Sequence, residues 1–359
     1  MIRARITVAP CLIALVLAAA CSRQPPAPAA SPSAGTSRPV ATRERLSVFA
    51  PLPDTAPPDS GRIDQNAVVL GRMLFYEPRL SKDQTISCNS CHDLSRYGVD
   101  GQATSDGVNG QQGKRNAPTV FNAAAHFAQF WDGRAPDVEA QAKGPVLNPV
   151  EMALPSAGRA VIVMKSMPEY VAWFGLAFPN EKDPVTFDNM AKAIGAFERR
   201  LMTPSKWDAL LRGDKSALTP AETIGLQTFL DTGCEVCHFG ALLGGTTYQK
   251  LGLAKPYPGL KDAGRFDVTK VQADFGMFKV PSLRNVDKTG PYFHDGRVAT
   301  LDDAVRKMAE FKLGKKLTDG EVRQIVDFLR VLTGRIDPDY IKPPVLPRST
   351  AATPKPDRS

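Results

Sequence analysis

Cys88-Asn89-Ser90-Cys91-His92 is the stretch on which the fold of this chain depends, and its pattern returns as Cys234-Glu235-Val236-Cys237-His238. The spacing C-x-x-C-H is the attachment signature of c-type haem. The two thiols bond covalently to the porphyrin, and the adjacent histidine is the proximal ligand of the iron. Two such motifs in a chain with only four histidines predict two covalently bound c-type haems, with His92 and His238 on the iron atoms.

Two other kinds of site use paired cysteines, and both fit this chain less well. A zinc ribbon needs its two halves close together, whereas these motifs lie about 145 residues apart. A thioredoxin-like redox pair does not explain the histidine that follows each motif. Haem attachment is therefore the favoured interpretation.

Composition sets the outer limits of the fold and function. A chain of 359 residues is long enough for two domains of ordinary size plus tails. The two cysteines outside the haem motifs, Cys11 and Cys21, lie in the N-terminal leader, so no structural disulfide is expected in the mature protein. The formal charge of +8 indicates either a solvated basic surface or a docking surface for an acidic electron-transfer partner. No motif supports nucleic-acid binding, and no apolar run after the leader is long enough to span a membrane.

The N-terminus predicts export. Residues 1–20 combine two arginines with an apolar run, which is typical of a secretory signal peptide. The run ends in Leu17-Ala18-Ala19-Ala20-Cys21, which is similar to a lipobox, although Ala18 stands where leucine is preferred. We expect a periplasmic lipoprotein acylated at Cys21; the alternative is ordinary signal cleavage after one of the alanines. Residues 21–60 are rich in Pro, Ala and Ser and predict a disordered tether.

The rest of the chain predicts a mainly α fold in which one haem-domain plan occurs twice. Residues 279–285 echo 115–122, and residues 293–297 echo 130–134. The expected domains are 61–215 and 216–336, with linking helices in the first and a Pro-rich tail at 337–359 that lies along the surface or is disordered. Helices are expected at 222–231, 301–311 and 318–332, with others between the prolines of 157–230.

These motifs together resemble the bacterial di-haem cytochrome c peroxidases, whose wider family includes the di-haem enzyme that matures methylamine dehydrogenase. The resemblance runs from about residue 70 to 334 and is carried by seven segments: 70–75, 86–88, 115–122, 129–135, 144–152, 280–286 and 290–296. It implies that hydrogen peroxide is reduced to water at the N-terminal haem. Electrons would enter at the C-terminal haem from a small periplasmic cytochrome c or cupredoxin. It also implies a calcium ion between the haems and, often, a homodimer.

The resemblance gives four residues roles at the haems. Met308, fourteen residues after His294, would be the second ligand of the C-terminal iron, where a thioether raises the potential. Glu151 would move protons during peroxide cleavage, with Gln141 as its polar neighbour. Trp131 would relay electrons between the haems. Without the resemblance, Met308 and Trp131 read as core residues and Glu151 as a helix cap.

Further positions rest on the resemblance alone. Calcium would bind the side chain of Asn116 and the backbone carbonyls of Thr289 and Pro291, with water completing the shell. His294, at the point of the second repeat that matches Trp131, is expected to be a structural residue near the interface rather than an iron ligand.

The sequence departs from the family at one position. Many members carry a histidine in the glycine-rich loop that caps the peroxidatic iron until the other haem is reduced. Here Ser105-Asp106-Gly107 is followed by Val108, which cannot bind iron. Either the N-terminal haem is open and active without reductive activation, which we favour, or another residue such as His126 supplies the cap. For His126, a buried hydrogen-bonded role is expected instead.

Two competing functions remain open. One is oxidation of a protein partner, as in the maturation enzyme, which also lacks the capping histidine but has a tyrosine ligand at its second haem. The other is a non-catalytic electron-transfer cytochrome, which would have no need of Glu151 and Gln141.

Overall fold

Helices carry nearly all the regular structure, as the sequence predicts. The computed structural model describes residues 43–56 and 63–359; the predicted signal peptide and Cys21 lie outside the described residues. The helices are α1 (Arg43–Leu46), α2 (Gln65–Phe75), α3 (Cys88–Cys91), α4 (Val138–Leu147), α5 (Ala157–Lys165), α6 (Pro168–Ala177), α7 (Phe187–Glu198), α8 (Lys206–Leu211), α9 (Pro220–Thr232), α10 (Phe266–Thr269), α11 (Leu301–Leu313), α12 (Asp319–Val331) and α13 (Pro338–Ile341). The strands β1 (Tyr248–Lys250) and β2 (Met277–Lys279) pair antiparallel, with Tyr248 opposite Lys279. Among the described residues, no helix is long and apolar enough to cross a membrane.

The core of the first half forms around the crossing of α2 and α7. Leu70, Leu74 and Phe75 are fully buried there, and the ring of Phe75 lies 5.4 Å from that of Phe197. The two helices approach so closely at Gly71 that a Cβ atom there would lie 1.8 Å from the carbonyl oxygen of Ala193. Only glycine permits this approach of α2 to α7. Cys88 of the first haem motif packs against the same core.

The core of the second half forms around α9 and α12. Phe229 of α9 packs against Phe328 of α12 with ring centroids 5.0 Å apart, and Trp207 of α8 contacts Phe328 at 5.3 Å. The predicted helices 222–231, 301–311 and 318–332 are found with ends within two residues of those in α9, α11 and α12. Pro220 at the first helical position and the Thr219–Glu222 capping box begin α9 as the sequence indicates.

Residues 43–56 differ from expectation. Composition assigns them to a disordered tether, but Phe49, Leu52 and Ala56 are buried. The ring of Phe49 packs edge-on against Trp207 at 5.1 Å. The apolar residues scattered among the prolines are enough to bind this segment to the second core, so this part belongs to the fold.

The two segments that echo each other in sequence have left-handed residues at matching positions, 163 residues apart. Asn122 and Asn285 both have φ of 61°, Phe130 and Phe293 have φ of 66° and 69°, and each segment closes with an isolated bridge. A longer helix follows each, α4 after the first and α11 after the second. The segments that echo each other in sequence therefore also match in conformation.

A buried ion pair joins α8 to the second matching segment. Arg284 donates two hydrogen bonds to Asp208, at 2.7 and 2.9 Å, and both side chains are essentially inaccessible to water. The backbone N–H of Leu52 donates to the same carboxylate at 2.7 Å. Asp208 thus holds three separate segments of the chain together.

We expect Asp208→Ala to lower the free energy of unfolding by about 3–5 kcal/mol, because it leaves the Arg284 guanidinium buried without its partner. The control is Asp183→Ala, which breaks an exposed ion pair with Lys165 and should cost less than about 1 kcal/mol. Denaturant unfolding of the two variants measures the difference. Equal midpoints for the two variants would contradict this role.

Candidate functional site

The first haem motif opens onto a large cavity. Its volume is about 780 Å³, within the range of cofactor sites. Cys88 and Cys91 lie three residues apart on the single turn of α3, so both thiols are presented on one side, and both line this cavity together with His92. A capping box between Ser87 and Ser90 begins the turn. The arrangement is the one that covalent haem attachment requires.

The second motif lines a cavity of its own. Cys234, Cys237 and His238 face it from one side, and Met308 of α11 lines it as well. The helix therefore brings the predicted second ligand into the cavity of the predicted proximal histidine.

Both histidines have the chemistry of iron ligands. Burial lowers the pKa of His238 to about 4 and also lowers the pKa of His92, so both rings are neutral at physiological pH. Nδ1 of His238 lies 3.0 Å from the carbonyl oxygen of Leu243. A proton donated from Nδ1 to that carbonyl leaves the lone pair of Nε2 for a metal. The four motif cysteines are free thiols, so the residues present fit two haems.

The predicted acid, Glu151, lies in the first cavity with Gln141. Its Oε1 accepts a hydrogen bond of 2.7 Å from the side-chain amide of Asn148. Burial raises the pKa of Glu151, while the charge of Arg134 and the bond from Asn148 act in the opposite direction. The net result is a pKa above the ordinary value of a glutamate, with burial as the largest cause.

The loop that carries Val108 is fixed to the turn that carries Glu151. The N–H of Val108 donates to the backbone carbonyl of Glu151 at 2.8 Å, and the Val108 side chain is buried. At Gly107, a Cβ atom would lie 2.1 Å from the carbonyl oxygen of Val150. The cavity is lined by Ser105, Asp106 and Gly107 of this loop.

Trp131 lies in a wall that the two cavities share. Trp131, Asn116 and His294 line both cavities, and the indole N–H of Trp131 donates to the carbonyl of Asn116 at 2.9 Å. The rings of Trp131 and His294 meet edge to face, 6.5 Å apart. His294 also stacks on Phe278 at 4.3 Å, as expected of a structural residue.

The three predicted calcium ligands all line the second cavity. Thr289 and Pro291 line the second cavity together with Asn116. The amide nitrogen of Asn116 donates to the carbonyl of Gln102 at 2.8 Å, which leaves the amide oxygen as its ligand atom. Among the described residues, no group of three or more His, Cys, Asp or Glu side chains is placed to hold a metal ion, so calcium stays a prediction.

Sequence reasoning missed two buried charged residues that line these cavities. Glu198 of α7 lines the first cavity, and burial raises its pKa to about 8, with the charge of Glu139 acting in the same direction. Lys279 lines both cavities and is 6% exposed. Both would pass for ordinary surface charges of a helix and a strand, and no local signal marks them.

Comparisons with known proteins agree with the geometry. A family model described as di-haem cytochrome c peroxidase matches residues 65–216. The cytochrome c551 peroxidase of Nitrosomonas europaea is 50% identical over 288 residues, covering 80% of this chain and 85% of the relative. That of Pseudomonas aeruginosa is 46% identical over 316 residues, covering 86% and 90%. A solved structure of a MauG-like protein associated with microbial copper homeostasis is 29% identical, with a TM-score of 0.73 over 82% of this chain and 97% of that one. The resemblance in the sequence is thus confirmed, and the chain belongs to the di-haem cytochrome c peroxidase family.

Proposed function

We propose that this chain reduces hydrogen peroxide to two molecules of water, using two protons and two electrons from a small cytochrome c or cupredoxin. The observation that carries the proposal is Glu151, a half-buried carboxyl that shares one cavity with Cys88, Cys91 and His92. A pure electron carrier has no use for an acid there. The relatives that are 46–50% identical are named cytochrome c551 peroxidases.

Glu151 would move the proton. A haem attached at Cys88 and Cys91 supplies the redox chemistry of O–O bond cleavage. As a carboxylate, Glu151 accepts a proton from one peroxide oxygen and then donates it to the other, which leaves as water. Asn148 holds the carboxylate at 2.7 Å, and Gln141 supplies a further polar group in the cavity.

Electrons would enter through the second haem. Met308 and His238 line the same cavity, which supports a closed, six-coordinate iron suited to electron transfer. The indole of Trp131, in the wall that both cavities share, would carry electrons to the first haem. The matching backbones of the two segments support two haem domains built on one plan, over 61–215 and 216–336.

The first haem would be open without prior reduction. Val108 is buried, and its loop is hydrogen-bonded to the Glu151 turn, so this position offers no ligand. The alternative cap, His126, has its Nδ1 2.7 Å from Nζ of Lys279. Nδ1 of the His126 ring is thus in hydrogen-bond contact with Lys279 in the wall of the cavity.

The alternative function of oxidising a protein partner is less well supported. That role would go with a tyrosine ligand, whereas the predicted ligand in the second cavity is Met308; Tyr292, which also lines this cavity, donates its hydroxyl to the carbonyl of Val286 at 3.1 Å. The rest of the proposal rests on the sequence alone. It comprises export to the periplasm, acylation at Cys21, calcium bound at Asn116 and a homodimer.

Replacing Glu151 with Gln tests the proposed proton transfer. We expect kcat/KM for peroxide to fall about 10²–10⁴-fold, because the amide cannot accept the proton. Steady-state oxidation of a reduced cytochrome c measures the loss. Glu169→Gln, which changes an exposed carboxylate on α6, is the matched control and should keep wild-type activity. Wild-type activity in both variants would remove Glu151 from the mechanism.

Replacing Asn148 with Ala tests how Glu151 is tuned. The Asn148 amide favours the ionised carboxylate, so its loss should raise the pKa of Glu151 further. The acid limb of the pH profile of kcat/KM should then move up by about one pH unit, the size expected for a hydrogen bond to a charged group. An unmoved limb would show that another group limits activity at low pH.

The oxidised enzyme tests the open site. We expect high-spin features from one haem in its optical and electron paramagnetic resonance spectra. Cyanide should bind at the same rate before and after reduction of the second haem. Two low-spin haems in the oxidised state, with cyanide binding only after reduction, would show that a cap is present.

A further inference from the structure

Lys279 is a buried cation between the two cavities. It ends β2, is 6% exposed and lines both cavities. Its backbone N–H donates to the carbonyl of Trp131 at 2.8 Å, which ties it to the shared wall. A lysine so placed must be compensated, because a buried ammonium loses its hydration.

The protein partners of the Lys279 ammonium are neutral. Nζ donates to the carbonyl of Ala128 at 2.9 Å and lies 2.7 Å from Nδ1 of His126. Burial and the adjacent lysine hold the pKa of His126 well below its usual value, so its ring is neutral. Among the described residues, no carboxylate forms an ion pair with Lys279.

The carboxylate that acts on Lys279 is already neutralised. Asp132 has the one charge that favours the protonated lysine. It forms ion pairs with Arg115 at 2.5 Å and Arg134 at 3.0 Å. Two guanidinium groups therefore compete for this single carboxylate, and burial lowers the pKa of Lys279 to about 7.

His126 adds a second donor at the same place. When Lys279 is protonated, Nδ1 of the neutral ring must accept its hydrogen bond, and Nε2 then carries the ring proton. Nε2 is buried and has no hydrogen-bond partner among the described residues. An ammonium and an imidazole N–H, both lacking an anionic partner, lie together at cavities shaped for haem.

We propose that Lys279, held in place by His126, is the anchor for a carboxylate of a haem in one of the two cavities. Haem has two carboxylates, and one of them would complete the ion pair that the protein leaves open. The proposal rests on haem attachment but not on peroxide reduction, so it can fail or succeed separately from the proposed function.

The pair has a consequence for reduction potential. A buried positive charge stabilises the reduced iron, which carries one more electron than the oxidised iron. Removing that charge, and leaving the haem carboxylate uncompensated, must therefore lower the potential of the haem concerned. The size of the change at each haem shows which cavity holds the carboxylate.

The test is a spectroelectrochemical titration of both haems in the purified holoprotein, without peroxide. Lys279→Met removes the charge and keeps the length of the side chain. We expect a downward shift in the midpoint potential of at least one haem, and wild-type potentials in Lys279→Arg. Lys165→Met is the control, because it removes an exposed lysine that pairs with Asp183 and lines neither cavity.

Further arms keep the test decisive. If the methionine variant does not incorporate both haems, Lys279→Gln loses the charge but keeps a donor and should show a smaller downward shift. Potentials in Lys279→Met or Lys279→Gln equal to those of Lys165→Met would overturn the proposal. So would an equal shift in Lys279→Arg, which would indicate packing rather than charge. A dependence of the wild-type potentials on chloride concentration would show that a solution anion occupies the site instead.

Discussion

The hydrogen bond from the indole N–H of Trp131 to the carbonyl of Asn116 fixes the wall on which both cavities depend. Asn116 in turn donates its backbone N–H to the carbonyl of His294, and Lys279 donates to the carbonyl of Trp131. These bonds join a segment of the first half to a segment of the second. Two haems held against one wall have a fixed separation and orientation, which is what electron transfer between them requires.

The two segments that echo each other in sequence carry different side chains at matching positions. Trp131 and His294 hold matching positions at the wall, as do Asn116 and Lys279. The first segment contributes the indole of Trp131 and the amide of Asn116 to the wall. The second contributes the imidazole of His294 and the ammonium of Lys279. All four side chains line both cavities, so the two segments give the shared wall a mixture of aromatic, amide and cationic groups.

Local signals in the sequence account for much of this molecule. The start of α9 at Pro220 could be predicted, because it depends on a short local pattern. The resemblance to the family likewise pointed to Met308, Glu151 and Trp131, which line the cavities. The burial of Phe49 could not be predicted, because it depends on contact with Trp207 more than 150 residues later.

Buried charges were missed for a related reason. Glu198 follows Phe197 at the end of α7, where a carboxylate usually faces water. Its burial arises only when α7 packs beside the first cavity. Lys279 likewise reads as a strand-end lysine until the two halves are brought together. The sequence shows that a charged residue is present, but only the tertiary structure shows whether that residue is buried.

The C-terminal tail closes the first half of the molecule. Gln84 donates to the carbonyl of Pro354 at 2.8 Å, Asp357 donates its N–H to the carbonyl of Lys82, and Thr353 is buried against the N-terminal core. The turn that precedes the first haem motif is therefore held by residues more than 260 positions later in the chain. Ordering the turn at residues 82–84 therefore requires the closure of a very long loop, whose entropic cost the contacts of the tail must offset.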